Sequence, residues 1–305
     1  DWGAYLNALE DNSNGAVTIA ATGANSQTVT ITIGGIDDTC TLSSGSCIAT
    51  VSSGDLDGYT DGATLTITVN VDDAAGNSAT ANTGTTFVYD VTVAAATQTT
   101  AVTTPTADST PDAVINVGEA GTIAVGGTSG CGLDSTSTMT SGGNTITLGT
   151  ISTGDGDYTC TVTFTDTAGN AAGALSLTEF TLDTTVPVIS SVSASWGDYL
   201  NAAEDNAAGT VTIVTSGAED GQTVTITIGG IDDSCSLLSN TCAATVAADD
   251  LDSYTDGATL TITANVDDAA GNSATANTGT TFVYDVTAPT IDTVTAGWGT
   301  HLNAL

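Results

Sequence analysis

The sequence predicts an all-β protein: a row of antiparallel β-sandwich domains joined end to end as an extended rod. Three observations carry that expectation. A long segment is repeated within the chain, its apolar and polar residues alternate with a period of two, and turn-forming clusters fall about every ten residues.

The repeat is marked by a phrase, WGAYLNAL at 2–9, that returns as WGDYLNAA at 196–203 and as WGTHLNAL at 298–305. Trp2, Trp196 and Trp298 are the chain's only tryptophans. The stretch VDDAAGNSATANTGTTFVYDVT stands at 71–92 and, letter for letter, at 266–287. These matches divide the chain into a first domain at 1–92, a divergent relative at 93–187, a second copy of the first at 188–287, and the start of a further repeat at 288–305. Domains of roughly 100 residues are the usual size.

Strands follow from the alternation. TVTITIGG at 28–35 puts Val29, Ile31 and Ile33 on one face and Thr28, Thr30 and Thr32 on the other; TLTITVNV at 64–71 does the same with Leu65, Ile67, Val69 and Val71. One face of each is buried. The loop DDAAGN at 72–77 and 267–272 reads as the FG turn, matched by TDTAGN at 165–170, and AEDGQ at 218–222 reads as the BC turn. The segment VPVISSVSAS at 186–195 reads as the first strand of the third domain, and APTIDTVTAG at 288–297 repeats it. The first domain has only Asp1 before Trp2 and so lacks this strand. In the middle domain INVGEAG at 115–121 aligns with LNALED and LNAAED, which places Glu119 in the same AB loop as Glu10 and Glu204. Tyr158 stands two residues before Cys160, the spacing of the tyrosine corner in immunoglobulin-type sandwiches.

Composition excludes several functions. The chain has no Lys or Arg against 35 Asp and Glu, a formal charge of −35. Phosphate contacts need cationic side chains, so nucleic acid and anionic membrane surfaces are excluded as partners. The self-repulsion has no internal cation to offset it, leaving divalent metal, high salt or a pH near the pI of about 4.1 to do so. Trypsin has no bond to cut, which suits an exposed, protease-resistant molecule. Six cysteines fall two per domain, as Cys40/Cys47, Cys131/Cys160 and Cys235/Cys242. The outer pairs read as hairpins that bring i and i+7 opposite each other. Disulfides there would stabilise by about 2–3 kcal/mol each and imply a secreted, oxidised location. Zinc is the competing reading, but it wants four ligands and His301 is the one histidine.

Catalysis has little to stand on: no Ser or Cys has a visible base, and carboxylate pairs such as Asp72/Asp73 sit in tight turns rather than beside a cleft. The chain is therefore read as no enzyme. Threonine-rich strand faces leave glycan or ice binding as an alternative, although aromatic residues are only 5%.

Taken together, LNAAEDNAAGTVTIVTSGAEDGQTVTITIGG, DLDSYTDGATLTIT, DDAAGN and YDVTAPTI resemble the tandem bacterial Ig-like domains of giant biofilm-associated and type I-secreted surface adhesins. The resemblance spans the first and third domains and, more loosely, the second. It implies an extracellular stalk, often stiffened by calcium between domains. Paired hairpin cysteines and the total lack of Lys and Arg depart from that family.

Topology gives the calcium expectation its residues. The AB loop and the end of strand G share one pole, and the FG and BC loops share the other. Stacking then sets Glu10 and Asp90 against Asp166 and Asn170 at the first junction. Glu119 and Asp183 meet Asp268 and Asn272 at the second, while Glu204 and Asp285 face the next repeat. Carboxylates with an amide oxygen suit a cation that takes six to eight oxygen ligands. Partners are then further repeats or copies of the chain, with surface glycans as a further candidate. The segment with Ala288, Pro289, Thr290, Ile291 and Val294 leaves one alternative: it could complete the first domain of another copy and so build a non-covalent filament.

Overall fold

The computed structural model describes residues 2–248, 250–252, 254–275, 277–295 and 297. The third tryptophan phrase, with Trp298 and His301, lies outside the described residues. The chain forms two compact units. One comprises Asp1–Thr103, Ser109–Thr153 and Asp157–Phe180; the other comprises Thr104–Asp108, Gly154–Gly156 and Thr181–Leu305.

In the first unit a five-stranded sheet runs in the order Tyr5–Leu6, Asn82–Tyr89, Ala63–Val71, Thr28–Ile33, Ile36–Thr41. Gly15–Ala20 pairs with Ser46–Val51 as a separate two-stranded sheet. The alternation read from the sequence decides which face turns inward. Val29, Ile31 and Ile33 are buried, and they form one core with Ile19, Ala49 and Val51 of the smaller sheet. Burying each such side chain is worth about 1.5–3 kcal/mol. Tyr5–Leu6 runs parallel to Asn82–Tyr89, while the other pairs are antiparallel. The order and connections are those of an immunoglobulin-type sandwich.

The same unit holds the sheets Thr138–Met139, Gly121–Gly127, Cys160–Asp166, Leu175–Ser176 and Gly142–Thr147, Asp112–Val117, Thr97–Thr100. Tyr158 is buried and its hydroxyl bonds to Thr153 Oγ1, five residues upstream. INVGEAG proves to be the end of Asp112–Val117 and the turn into Gly121–Gly127. Glu119 therefore sits in a BC loop, not in the AB loop that the LNALED alignment indicated.

The second unit repeats the first sandwich with one addition. Its five-stranded sheet is Tyr199–Leu200, Asn277–Tyr284, Thr259–Val266, Thr223–Ile228, Ile231–Ser236. Its smaller sheet has three strands, because Val188–Ala194 pairs with Gly209–Ser216, which pairs with Thr241–Val246. Among the described residues no helix is long and apolar enough to cross a membrane.

The three cysteine pairs are joined as disulfides. The outer two are not rungs of a hairpin within one sheet. Cys40 lies on a strand of the five-stranded sheet and Cys47 on the two-stranded sheet, so the link crosses the sandwich; Cys235 and Cys242 repeat this.

The tryptophans set a second constraint. Trp196 is buried beside Phe282, with ring centroids 5.3 Å apart, and its ring lies so close to Gly209 that a Cβ there would stand 2.3 Å from it. Trp2, Phe87 and Gly15 form the same group in the first unit. Gly209→Ala should therefore displace Trp196 and destabilise the protein by about 1–3 kcal/mol, the usual cost of overpacking. Chemical denaturation followed by tryptophan fluorescence checks this, and an unchanged midpoint would contradict the packing.

Candidate metal centre

The site begins with a loop that satisfies its own carboxylate. Asp166 Oδ1 accepts from the backbone N–H groups of Gly169 (2.7 Å) and Asn170 (2.8 Å), and its Oδ2 accepts from Asn170 Nδ2 (2.8 Å). Gly169 has φ +99°, a conformation that glycine adopts without a Cβ penalty. This explains the DxAGN pattern locally: Asp73/Asn77 and Asp268/Asn272 close their loops in the same way. In the first unit the loop is also covered, which buries both Asp166 and Asn170.

The cover is the turn Asn7–Ala8 and the end of the strand Asn82–Tyr89. Asn7 caps the short helix Ala8–Asp11, whose first N–H groups have no partner inside the helix. One of them, from Ala8, is donated to Asn170 Oδ1 at 2.8 Å. Asn7 Nδ2 donates to the Ala168 carbonyl at 3.0 Å, and Asn170 Nδ2 donates to the Asp90 carbonyl at 2.8 Å.

This docking gathers acids. Carboxylate oxygens of Asp90, Glu119 and Asp166 all lie within 4.8 Å of one another. Glu119 is held by the Ala94 N–H at 2.7 Å, and Gly118 permits the approach, since a Cβ there would lie 2.6 Å from that of Ala94. Ionised pairs at such distances repel by on the order of 3–4 kcal/mol at an effective dielectric near 20. The consequence falls on Asp90: burial first, then the charges of Asp166, Glu119 and Asp61, push its carboxyl up to about 6. No Lys or Arg exists to relieve the group. All its donor atoms are hard oxygens, the kind that calcium or magnesium takes and zinc or copper does not favour. The residues therefore fit a divalent cation.

The assembled set differs from the expected one in three ways. Glu119, assigned to the second junction, stands with Asp90 and Asp166 instead, because its loop is BC. Glu10 is not in the group; its Oε2 accepts the Asn7 N–H and closes a capping box, as Glu204 does with Asn201. Local helix capping thus explains a glutamate that had pointed to metal. Asn170 turns its NH2 group, not its oxygen, toward the carboxylates, since its oxygen is taken by Ala8. Asn272 likewise donates, to the Asp183 carbonyl at 2.7 Å and to Asp268 Oδ2 at 2.9 Å.

In the second unit the loop at Asp268 meets Asp183 through its backbone, and Ala107 N–H donates to the Ala270 carbonyl. Glu219 there accepts from the Ala269 N–H, so the BC and FG loops do share a pole. Among the described residues, Asp183, Asp268, Glu204 and Asp285 belong to no group of three acids. Asn7 and Ala8 were missed by sequence reasoning. Their signal was the capping pattern N-x-x-E, which marks a helix start with N–H groups to offer.

The raised Asp90 carboxyl predicts a pH dependence in metal-free protein. The folded state holds this proton more tightly than the unfolded chain, whose Asp titrates near 3.9. The contribution favours folding at low pH and is lost as pH rises from about 4 to about 6. Thermal unfolding in chelator should show this fall in midpoint, and Asp90→Asn should flatten it. An equal slope in parent and variant would contradict the assignment.

No family model matches the chain, and no curated protein matches it. Among solved structures it is similar to a Ca2+-stabilized adhesin with which an Antarctic bacterium reaches out and binds ice. Identity is 25% and the TM-score 0.45, over 93% of this chain and 71% of that one. It is similar to a 1.5-MDa bacterial ice-binding adhesin at 20% identity and a TM-score of 0.38, over 93% of this chain and 95% of that one. A bacterial immunoglobulin-like domain of the M. primoryensis ice-binding adhesin matches 33% of this chain and 96% of its own, at 24% identity and a TM-score of 0.25. The similar solved structures thus include bacterial Ig-like domains of large adhesins.

Proposed function

We propose that the chain is a structural segment of an extracellular fibre or adhesin stalk, and that calcium held by Asp90, Glu119 and Asp166 stiffens it. The repeats at 1–92, 93–187 and 188–287 are its building blocks, and surface location, secretion and a non-enzymatic role follow from that reading. One observation carries it: the first loop and the last strand end of the first repeat hold a turn of the next repeat, and three carboxylates meet there with no Lys or Arg beside them. A bound divalent ion would neutralise them and tie Asp90, Glu119 and Asp166 together. Each of these residues comes from a different strand end, so the tie restricts the angle between the repeats. The disulfides across the first and third sandwiches and the missing trypsin sites suit the same exposed, load-bearing role.

Calcium and a chelator test the reading through melting temperature at low ionic strength. Saturation a hundredfold above the dissociation constant stabilises by about 2.7 kcal/mol, a rise of roughly 5–20 °C at this domain size. Glu119→Gln should show opposite signs: more stable than the parent in chelator, because repulsion is relieved, and less responsive to calcium. If calcium leaves the parent's melting unchanged, the calcium reading is overturned.

A further inference from the structure

In all three repeats one exposed aspartate grips the chain just after its last strand. Asp61 Oδ1 accepts from the Val91 N–H at 2.8 Å, and its Oδ2 accepts from Thr92 Oγ1 at 2.7 Å. In the third repeat Asp256 Oδ1 accepts from the N–H groups of Val286 (2.7 Å) and Thr287 (3.2 Å). The divergent repeat has neither the TDG nor the YDVT of the two copies, yet it makes the same grip with other atoms. There Asp155 accepts from the N–H and hydroxyl of Thr184 and from the hydroxyl of Thr185.

The residue after each of the two outer aspartates adds a second hold. Gly62 N–H donates to the Tyr89 carbonyl and Gly257 N–H to the Tyr284 carbonyl, both at 2.7 Å. One two-residue turn therefore grips the backbone on both sides of Asp90, at Tyr89 before it and at Val91 and Thr92 after it. Hydrogen bonds to an ionised acceptor are roughly twice as strong as neutral ones. The Thr92 hydroxyl and then the Val91 N–H accordingly hold the Asp61 carboxyl below its ordinary range, as Thr185 and Thr184 do for Asp155.

The second repeat takes hold of the same chain almost at once. Ala94 N–H donates to Glu119 Oε1 at 2.7 Å, and Glu119 lies between Asp112–Val117 and Gly121–Gly127, two strands of the second repeat. Val93 is the one residue between the last group held by the first repeat and the first held by the second, and it is half-buried. Each residue contributes two soft backbone dihedrals. A join of one residue has little room to bend.

We propose that Asp61 is a metal-independent clasp: it holds the outgoing chain of the first repeat in one direction and so stiffens the join to the second. Asp155 and Asp256 hold the chain leaving their own repeats in the same way. Without the clasp, residues 91–93 regain the conformational freedom that the two grips remove. Asp61 and Thr92 are both exposed, so neither fills a core. Asp61 is a positioning residue, and its removal changes the spread of directions at Val93 rather than the packing of either sandwich. The clasp acts whether or not Asp90, Glu119 and Asp166 take a cation, because Asp61 stands outside that group.

Residual dipolar couplings of the isotope-labelled 305-residue chain, recorded in chelator, test this. Alignment fitted separately to residues 2–92 and to residues 109–153 should agree in the parent, as for one rigid body. In Asp61→Ala the degree of alignment of the two segments should differ roughly twofold, in proportion to the order lost at the join. The dispersed amide spectrum of both sandwiches should be retained. Thr92→Val, which keeps the shape of an exposed side chain and removes only its hydroxyl, should move alignment the same way by a smaller amount; it decides the matter if Asp61→Ala does not fold. Asp73→Ala, at an aspartate that bonds only within its own loop, should leave alignment as in the parent. Segments that still align together in Asp61→Ala and Thr92→Val overturn the proposal. So do segments that already align differently in the chelated parent, because the join would then be loose with its clasp in place. With no cation present, neither result depends on the calcium response of the Asp90 group.

Discussion

A chain with no Lys or Arg must satisfy every partly buried carboxylate with amide and hydroxyl donors, and this one constraint organises the loops. Asp166 and Asp268 are capped by the N–H groups of their own turns. Glu10 and Glu204 close capping boxes. Asp61 and Asp256 accept from Val91 and Val286, just past the last strand of each copy, and Asp155 accepts from Thr184 and Thr185. Hydrogen bonds hold the carboxyls of Asp61, Asp73 and Asp155 below their usual range. Where acids crowd faster than donors can serve them, as at Asp90, the carboxyl is pushed up instead.

The second organising feature is how each sandwich obtains its first strand. In the first unit the chain leaves Asn82–Tyr89 and pairs as Thr97–Thr100 with Asp112–Val117 of the next repeat. In the second unit Val188–Ala194 likewise follows Leu182 and pairs with Gly209–Ser216. In both repeats the first strand follows directly on the last strand of the repeat before it.

Much of this was legible in the sequence. The period-two runs identified the inward faces of Thr28–Ile33 and Ala63–Val71, and the repeat phrases located the loops. Side-chain alternation and turn chemistry are local properties, so one strand or one turn suffices to read them. The DxAGN turn belongs here too, since Asp, Gly and Asn four residues apart close it without outside help.

Tertiary structure decided what local chemistry leaves open. Glu119 looked like an AB-loop residue from its neighbours, but pairing of Asp112–Val117 with Gly142–Thr147 and Thr97–Thr100 makes it a BC residue and brings it to Asp90. Asn170 could have offered oxygen or nitrogen to the carboxylates; the Ala8 N–H, 162 positions away in the chain, settles its direction. The cysteine spacing suggested hairpins that bring i and i+7 opposite each other; only the strand pairing shows that the turn at Ser43–Ser46 carries the chain from one sheet to the other. Each of these depends on which groups meet across the chain. Composition and spacing determined the strands, the turns and the uncompensated charge; only the packing of one repeat on the next determined where that charge collects.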